Sequence, residues 1–557
     1  MNTMRFKSLV ALGILLSAGM TLFTGCSDDD AKSTVLLRPV TTMESKKNSV
    51  NLKWQQVPDA TEYIIELYRS TDTGYELYQT YTTDQTTYTI ENLDWDEKYK
   101  LQVKSSSSDR ESAYYETGEI AVSYPTKLGE TKTIDNAARI TWGEGGNTIT
   151  ALKVFAEDGS EVKTFTDVDY ASGEAIINGL TPETKYKVCA YSGSEQSVST
   201  YEGRVMIETV AAEDYDAQYG AGKWKDLRDV TDPLYFTNPE LWNSLEEGTA
   251  IIVAGGVNFH FGEQNGAKTF TALNKSVTFA TGLTLGENAK FIIWNAFALS
   301  TNVESLSFKN IDFEGAINDQ FETRPVETET NKSFSAKQVF NENGSNTTLN
   351  TLTFTNCGFR SFRALVRLQA ANDGVKNVIF KGCTINGTGD QGTVSTNGKG
   401  GIMDNITFED CTITNVVLLG DLRTTANLPT LNILNCTFCY APLEGTGNQL
   451  IRISKNPVVL NFENTIFGPP VAAGSGISPN TSGTQASRMT DSKGYTPSKT
   501  TNCWATNFLM DSSCPFSGTA DAGMNETSMF TNPQEGNFKI IGQFGGATSA
   551  GAIKWRN

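Results

Sequence analysis

Histidine is almost absent: His260 is the only one in 557 residues. That excludes His-based metal sites and Ser–His or Cys–His nucleophilic pairs, all of which need an imidazole beside the ligand or nucleophile. A lone histidine near a strand end reads as a packed or solvated residue. Positive charge is also short, with 45 Lys and Arg against 63 Asp and Glu and a net charge of −18. Nucleic acid is therefore excluded as a partner, because its binding is driven by cations that neutralise phosphates. Long apolar runs are missing except for residues 9–23, which are too few to span a membrane as a helix.

What is present is a repeated phrase. TLTFTNCGF (351–359), NVIFKGCTI (377–385), NITFEDCTI (405–413), TLNILNCTF (430–438) and VVLNFENTIF (458–467) share one pattern, and SLSFKNIDF (305–313) is an earlier copy. Cys357, Cys383, Cys411 and Cys436 are 26, 28 and 25 residues apart, and Thr465 follows after 29. Strand-type alternation at such a period predicts one solenoid coil per repeat. The residue before each of these positions is Asn310, Asn356, Gly382, Asp410, Asn435 or Asn464. These types adopt positive φ at least cost, so they predict one corner stacked coil after coil. The following Cys, Ile or Thr is expected to point inward, where a thiol packs as a small hydrophobe. A thiolate metal cluster would need convergent ligands, whereas a solenoid sets them in a row.

The asparagine corner followed by a small inward residue resembles the right-handed parallel β-helix of pectate lyase-like proteins. The resemblance covers roughly residues 230–557. It implies a fold and leaves the activity open, because such solenoids carry lyases, hydrolases, adhesins and binding modules.

At the start of the chain, Arg5 and Lys7 precede the apolar run, which ends Leu22-Phe23-Thr24-Gly25-Cys26. This resembles a bacterial lipoprotein signal, residues 1–25, with cleavage before Cys26 and acylation of its thiol. Ser27-Asp28-Asp29-Asp30 lies in an acidic tether, residues 26–33, that resembles the surface-export signal of lipoproteins in bacterial glycan-uptake systems. The bland reading of the same run is a solvated tether.

Residues 34–125 alternate with turn signals about every ten residues, a sandwich pattern. Trp54 in NLKW and Leu93 to Tyr99 in ENLDWDEKY resemble a fibronectin type III domain, with Trp54 in the core and Tyr99 as the corner tyrosine. Trp142 and Leu180 to Tyr186 keep the same spacing and place a second such module at 127–210. An exposed Trp95 acting as a sugar platform is the alternative to a pure spacer role. Residues 211–232 read as a linker, and 233–557 as the β-helix with an N-terminal helical cap at Asn238-Pro239 and an irregular C-terminal segment. Residues 314–348 read as a long corner loop, and MFTNPQEGNFKI (529–540) as a closing strand. Cys503 and Cys514 sit beyond the repeats without ladder partners and can form a disulfide in an exported protein. The fold class is thus all-β: two fibronectin type III-like β-sandwiches, then a right-handed parallel β-helix.

For chemistry, polygalacturonase-type hydrolases carry Gly-His-Gly and Arg-Ile-Lys; this chain has no Gly-His-Gly, and the nearest echo is Arg452-Ile453-Ser454. A lyase needs a cation to neutralise a uronate and a basic residue to take the α-proton. Alternation in SFRALVRLQ puts Val366 and Leu368 inward and Arg367 outward, with Arg363 nearby; Arg423 and Arg452 also point outward. Together they predict a partial arginine row on one face. Asp373, Asp404 and Asp421 are the acids available for calcium, without forming a cluster; no other cofactor is implied. Between 351 and 460, nine Lys and Arg face seven Asp and Glu, so this stretch is the least hostile to an anionic sugar chain. Pairing of these arginines with neighbouring acids is the competing structural reading.

The leading expectation is a non-catalytic polysaccharide-binding lipoprotein of a glycan-uptake system. It would be lipid-anchored in the outer membrane, face the cell exterior, work beside other uptake proteins, and hold a uronate-containing chain at Arg363, Arg367, Arg423 and Arg452. A uronate-specific polysaccharide lyase is the second reading, and an adhesin or structural spacer the third.

Overall fold

The computed structural model describes residues 34–556 other than 72, 144–147, 166–169, 193–196, 265–266, 269–272, 330, 424–427, 444–449, 454–457, 470–497 and 507–516. Cys26, the leader, the acidic tether and Cys514 lie outside the described residues. The chain divides into two compact units. One holds the described residues up to Gly129 with Trp142–Gly173 and Lys187–Met206; the other holds Glu130–Thr141, Glu174–Tyr186 and everything from Ile207.

The first sandwich pairs a three-stranded sheet (Thr42–Lys46, Ser49–Lys53, Thr87–Ile90) with a five-stranded one built on Glu62–Thr71, Gly74–Thr83 and Glu97–Ser106. Trp54, Tyr63, Ile65, Leu67 and Tyr99 are buried in its core. The Asp94 N–H donates to the Tyr99 hydroxyl at 3.1 Å, which makes Tyr99 the corner tyrosine. The second module has a three-stranded sheet (Leu128–Thr133, Ala137–Trp142, Glu174–Asn178) and a four-stranded one (Ala151–Ala156, Glu161–Phe165, Lys185–Tyr191, Tyr201–Glu208). Its corner repeats the device, with the Thr181 N–H donating to the Tyr186 hydroxyl at 2.9 Å.

The remainder is a parallel β-solenoid with three faces. The first face runs in ten strands from Trp224–Leu227 to Lys499–Thr501, and the second in ten from Asn258–Phe261 to Thr519–Asp521. The third has five short strands: Gln338–Glu342, Ala364–Leu368, Val394–Ser395, Gly420–Asp421 and Ile451–Arg452. The corner between the first two faces is where the sequence places it. Asn310, Asn356, Gly382, Asp410, Asn435 and Asn464 all have φ between 49° and 65°. Gly382 is the one corner with a spatial reason for lacking a side chain, since a Cβ there would lie 2.3 Å from Asn356 Oδ1.

Inward residues stack in columns. Phe308, Phe354, Phe380 and Phe408 follow one another at 5.2, 5.0 and 4.8 Å between ring centroids, within 13° of parallel. Each buried ring contributes about 1.5–3 kcal/mol. Beside them Cys357, Cys383, Cys411 and Cys436 form a column of free, buried thiols. Each thiol donates to a carbonyl one coil back, Cys411 to Phe380 and Cys436 to Phe408, both at 3.4 Å. Burial pushes the Cys383, Cys411 and Cys436 thiols well above the usual range, which keeps them protonated and poor metal ligands.

Four expectations need correction. Residues 211–232 are more than a linker: Tyr215–Tyr219 is a helix packed on the first face, and Trp224–Leu227 is that face's first strand. The loop 314–348 ends in Gln338–Glu342, which opens the third face. Cys503 does have ladder partners. Asn502 repeats the corner at φ 50°, and the strand Cys503–Ala505 pairs with the second face on both sides. Residues 529–540 fold as an antiparallel ribbon, Phe530–Asn532 with Asn537–Ile540, because Gly536 at φ 79° turns the chain back.

The cap at the open end is as expected in kind. Asn238 caps the helix Pro239–Ser244 with its side chain on the Glu240 N–H. Phe236, fully buried, plugs the first coil against Phe261 at 5.1 Å. At the other end the chain returns along the outside of the second face. The Ala552 N–H donates to Thr437 Oγ1 (2.8 Å), Trp555 Nε1 to Thr412 Oγ1 (2.7 Å), Lys554 Nζ to Thr384 Oγ1 (3.0 Å) and Arg556 Nη2 to Asn435 Oδ1 (2.7 Å). This segment therefore covers the second face from Thr384 onward.

Candidate functional site on the third face

Strands of the third face are short because their sequences are mixed. Val366, Leu368, Val394, Leu422, Ile451 and Ile453 point inward and are buried, which turns the residues between them outward. Register aligns Asn341, Arg367, Ser395, Asp421 and Arg452 in one outward row across five coils. Arg367 and Arg452 therefore do share a row, but three coils apart with a serine and an aspartate between them. Arg423 is two residues further along its coil, and Arg363 precedes its strand.

Most of these arginines have acid partners. Arg363 Nε donates to Asp390 Oδ1 at 2.8 Å. Arg423 holds Asp421 through Nε and Nη2, both at 2.8 Å, and Arg452 Nη1 reaches the same carboxylate at 3.5 Å. Asp421 is thus a buried acid clamped by two guanidinium groups. Arg367 differs. Its Nε is buried without a hydrogen-bond partner among the described residues, and no ion pair engages it. Burial and the neighbouring Arg363 push its guanidinium below the usual range. Around it the row is neutral and amide-rich, with Gln369 Nε2 donating to Asn341 Oδ1 at 3.0 Å.

The expected row is therefore one unengaged arginine, one arginine paired beside it, and two arginines on one aspartate. Asp390, Asn341 and Ser395 escaped the sequence reading, because the strands that align them contain only two to five residues and lack a clear alternation. The acids considered for calcium do not meet. Asp373 is buried and accepts the N–H groups of Gly344 (2.8 Å) and Asn346 (3.1 Å), so it closes a turn. Asp421 is occupied by arginines, and among the described residues no three acidic, Cys or His ligands converge. His260 lies stacked on Phe321 at 4.3 Å and burial lowers its affinity for a proton, as suits a packed residue. Trp95 is half-buried and donates Nε1 to the Val198 carbonyl at 3.1 Å, so its ring edge is engaged within the protein rather than standing as a free platform.

The fold defines a class: an all-β chain in which fibronectin type III-like sandwiches precede a parallel β-solenoid. No protein-family model matches the chain, and no characterised protein matches it in sequence. Among solved structures it is similar to a two-domain fibronectin type III segment of chicken tenascin, at 14% identity over 31% of this chain and 98% of that one, with a TM-score of 0.16. It is also similar to a fibronectin type III domain of the human collagen α1(XX) chain, at 18% identity over 17% of this chain and 95% of that one, with a TM-score of 0.15.

Proposed function

We propose that this protein is a lipid-anchored, surface-exposed polysaccharide-binding protein of a bacterial glycan-uptake system, and that its third face holds an acidic, uronate-containing chain. The supporting observation is Arg367, a guanidinium without an acid partner in a row of amide and hydroxyl side chains. A uronate carboxylate supplies the partner it lacks, as a charge-assisted pair. Arg363 beside it, already held by Asp390, raises the local positive potential. The sandwiches then act as spacers between the acylated Cys26 and the solenoid.

Affinity electrophoresis of the full chain in gels containing polygalacturonate tests this reading. Retardation is expected in that gel and not in a neutral glucan gel. Arg367→Ala should weaken binding by about 1.5–3 kcal/mol, roughly tenfold to a hundredfold. Equal retardation of the wild type and Arg367→Ala would sink the assignment of the face. For the anchor, Cys26→Ala is expected to move the protein from the membrane to the soluble fraction, and protease added to intact cells to degrade the wild type. A wild type left intact by that protease would remove the surface reading.

One observation favours the lyase as a second reading. An arginine pushed below its usual range is a better base, and abstraction of a proton α to a uronate carboxylate requires one. Products absorbing in the ultraviolet from a uronate polymer, lost in Arg367→Ala, would establish it.

A further inference from the structure

The outward side of the second face is not uniform. Its row runs Asn258, Lys290, Asp312, Gly358, Thr384 and Thr412. From Thr384 on, the returning C-terminal segment covers it, as Lys554 and Trp555 show. One coil before that cover the row loses its side chain at Gly358, where a Cβ would lie 2.4 Å from Asp312 Oδ1. The result is an open groove of about 550 Å³, floored by Phe313 and Phe359 and walled by charged and amide side chains.

The charges in this groove are arranged unlike those of the third face. Three acids, Glu287, Asp312 and Glu314, face two cations, Lys290 and Arg360. Both cations already have partners, Lys290 on Glu314 at 3.6 Å and Arg360 on Glu327 at 3.5 Å. Asp312 has only neutral contacts: the Gly358 N–H at 3.1 Å and the Asn288 side chain. No Lys or Arg nitrogen among the described residues is in ion-pair contact with it. Burial pushes its carboxyl above the usual range, with the Glu287 charge adding to the effect. The groove thus presents a part-buried carboxylate that lacks a cation, with a second acid beside it.

We propose that this groove is a second ligand site, and that it takes a sugar bearing a free primary amine. The ammonium would sit against Asp312 and Glu287, while Asn386 and the Gly358 backbone leave a flat, polar surface for ring hydroxyls. Phe313 and Phe359 lie beneath that surface in the core and do not stack on the ligand. The site is separate from the third face and does not depend on the uronate reading: it uses acids where that face uses arginines.

Isothermal titration of the full chain with glucosamine oligosaccharides, and with their N-acetylated counterparts of equal length, tests it. The free-amine series is expected to bind and the acetylated series to bind about tenfold more weakly or worse, because acetylation removes the charge that the pair requires. Asp312→Asn keeps an acceptor for the Gly358 N–H, so the fold is expected to hold, with an unchanged thermal midpoint. It should lower affinity for the amine series about tenfold and leave the third face's polygalacturonate binding as it is. Equal binding of the two series, binding of neither, or full binding by a folded Asp312→Asn protein would each overturn the proposal. Should Asp312→Asn prove unstable, Glu287→Gln is the second variant; it too should weaken the amine series selectively, and an unaltered affinity there would count against the site.

Discussion

Phe380→Ala is expected to lower the unfolding free energy of the solenoid by about 3–5 kcal/mol, the cost of truncating a fully buried phenylalanine. Phe380 has no exposed surface and lies between Phe354 and Phe408 at 5.0 and 4.8 Å. Its loss removes two stacking contacts, each worth about 0.5–1.5 kcal/mol beyond burial, and leaves a cavity that rigid neighbouring coils cannot close. The effect is large against the whole stability of a domain, about 5–15 kcal/mol. Coils of a solenoid hold only their neighbours, so a break in mid-column should also make unfolding less cooperative. Guanidinium titration followed by circular dichroism is the measurement. Ile379→Ala is the control: the adjacent side chain points outward and is half-exposed, so its loss should stay within about 0.5 kcal/mol. Equal losses for the two variants would mean that Phe380 is not a core residue.

How much of this was readable beforehand follows from which rules act locally. The corner was legible because positive φ at one register restricts the choice to Asn, Asp and Gly, and the period then counts the coils. Cys503 escaped because 470–497 interrupt the period before it; the local signal, Asn502-Cys503, was present but isolated. The third face was legible only in its long strand around Arg367. Val394–Ser395 and Gly420–Asp421 are two residues each, too short for a periodicity, and their role appears only when register sets them beside Arg367 and Arg452. Pairing between arginines and acids was weighed as a competing reading, and it holds for Arg363, Arg423 and Arg452. The groove at Gly358 was invisible for another reason. A glycine after a corner cysteine looks like any turn residue, and only its neighbour one coil back, Asp312, shows what its missing side chain leaves open.

Asp421→Asn separates folding from binding on the third face, because the two effects should have opposite signs. The aspartate is 4% exposed in its side chain and is held by Arg423 and Arg452, whose side chains are 38% and 15% exposed. Breaking a fully buried pair costs about 3–5 kcal/mol. Here both arginines keep some water and the asparagine oxygen still accepts one N–H, so the loss should be about 2–3 kcal/mol. The same change frees two guanidinium groups and adds one positive charge to the row that contains Arg367. If the face binds an acidic chain, Asp421 competes with the ligand's carboxylates, and removing it should raise affinity for polygalacturonate several-fold at low salt. That gain should shrink as ionic strength rises and the Debye length falls below about 10 Å. Arg367→Ala should do the reverse: weaker binding with little change in stability, since its buried Nε makes no hydrogen bond that the substitution would break. A drop in binding for Asp421→Asn that merely follows its lost stability would show that the aspartate orders the arginines for the ligand. Competition with the ligand would then be the wrong account of this acid.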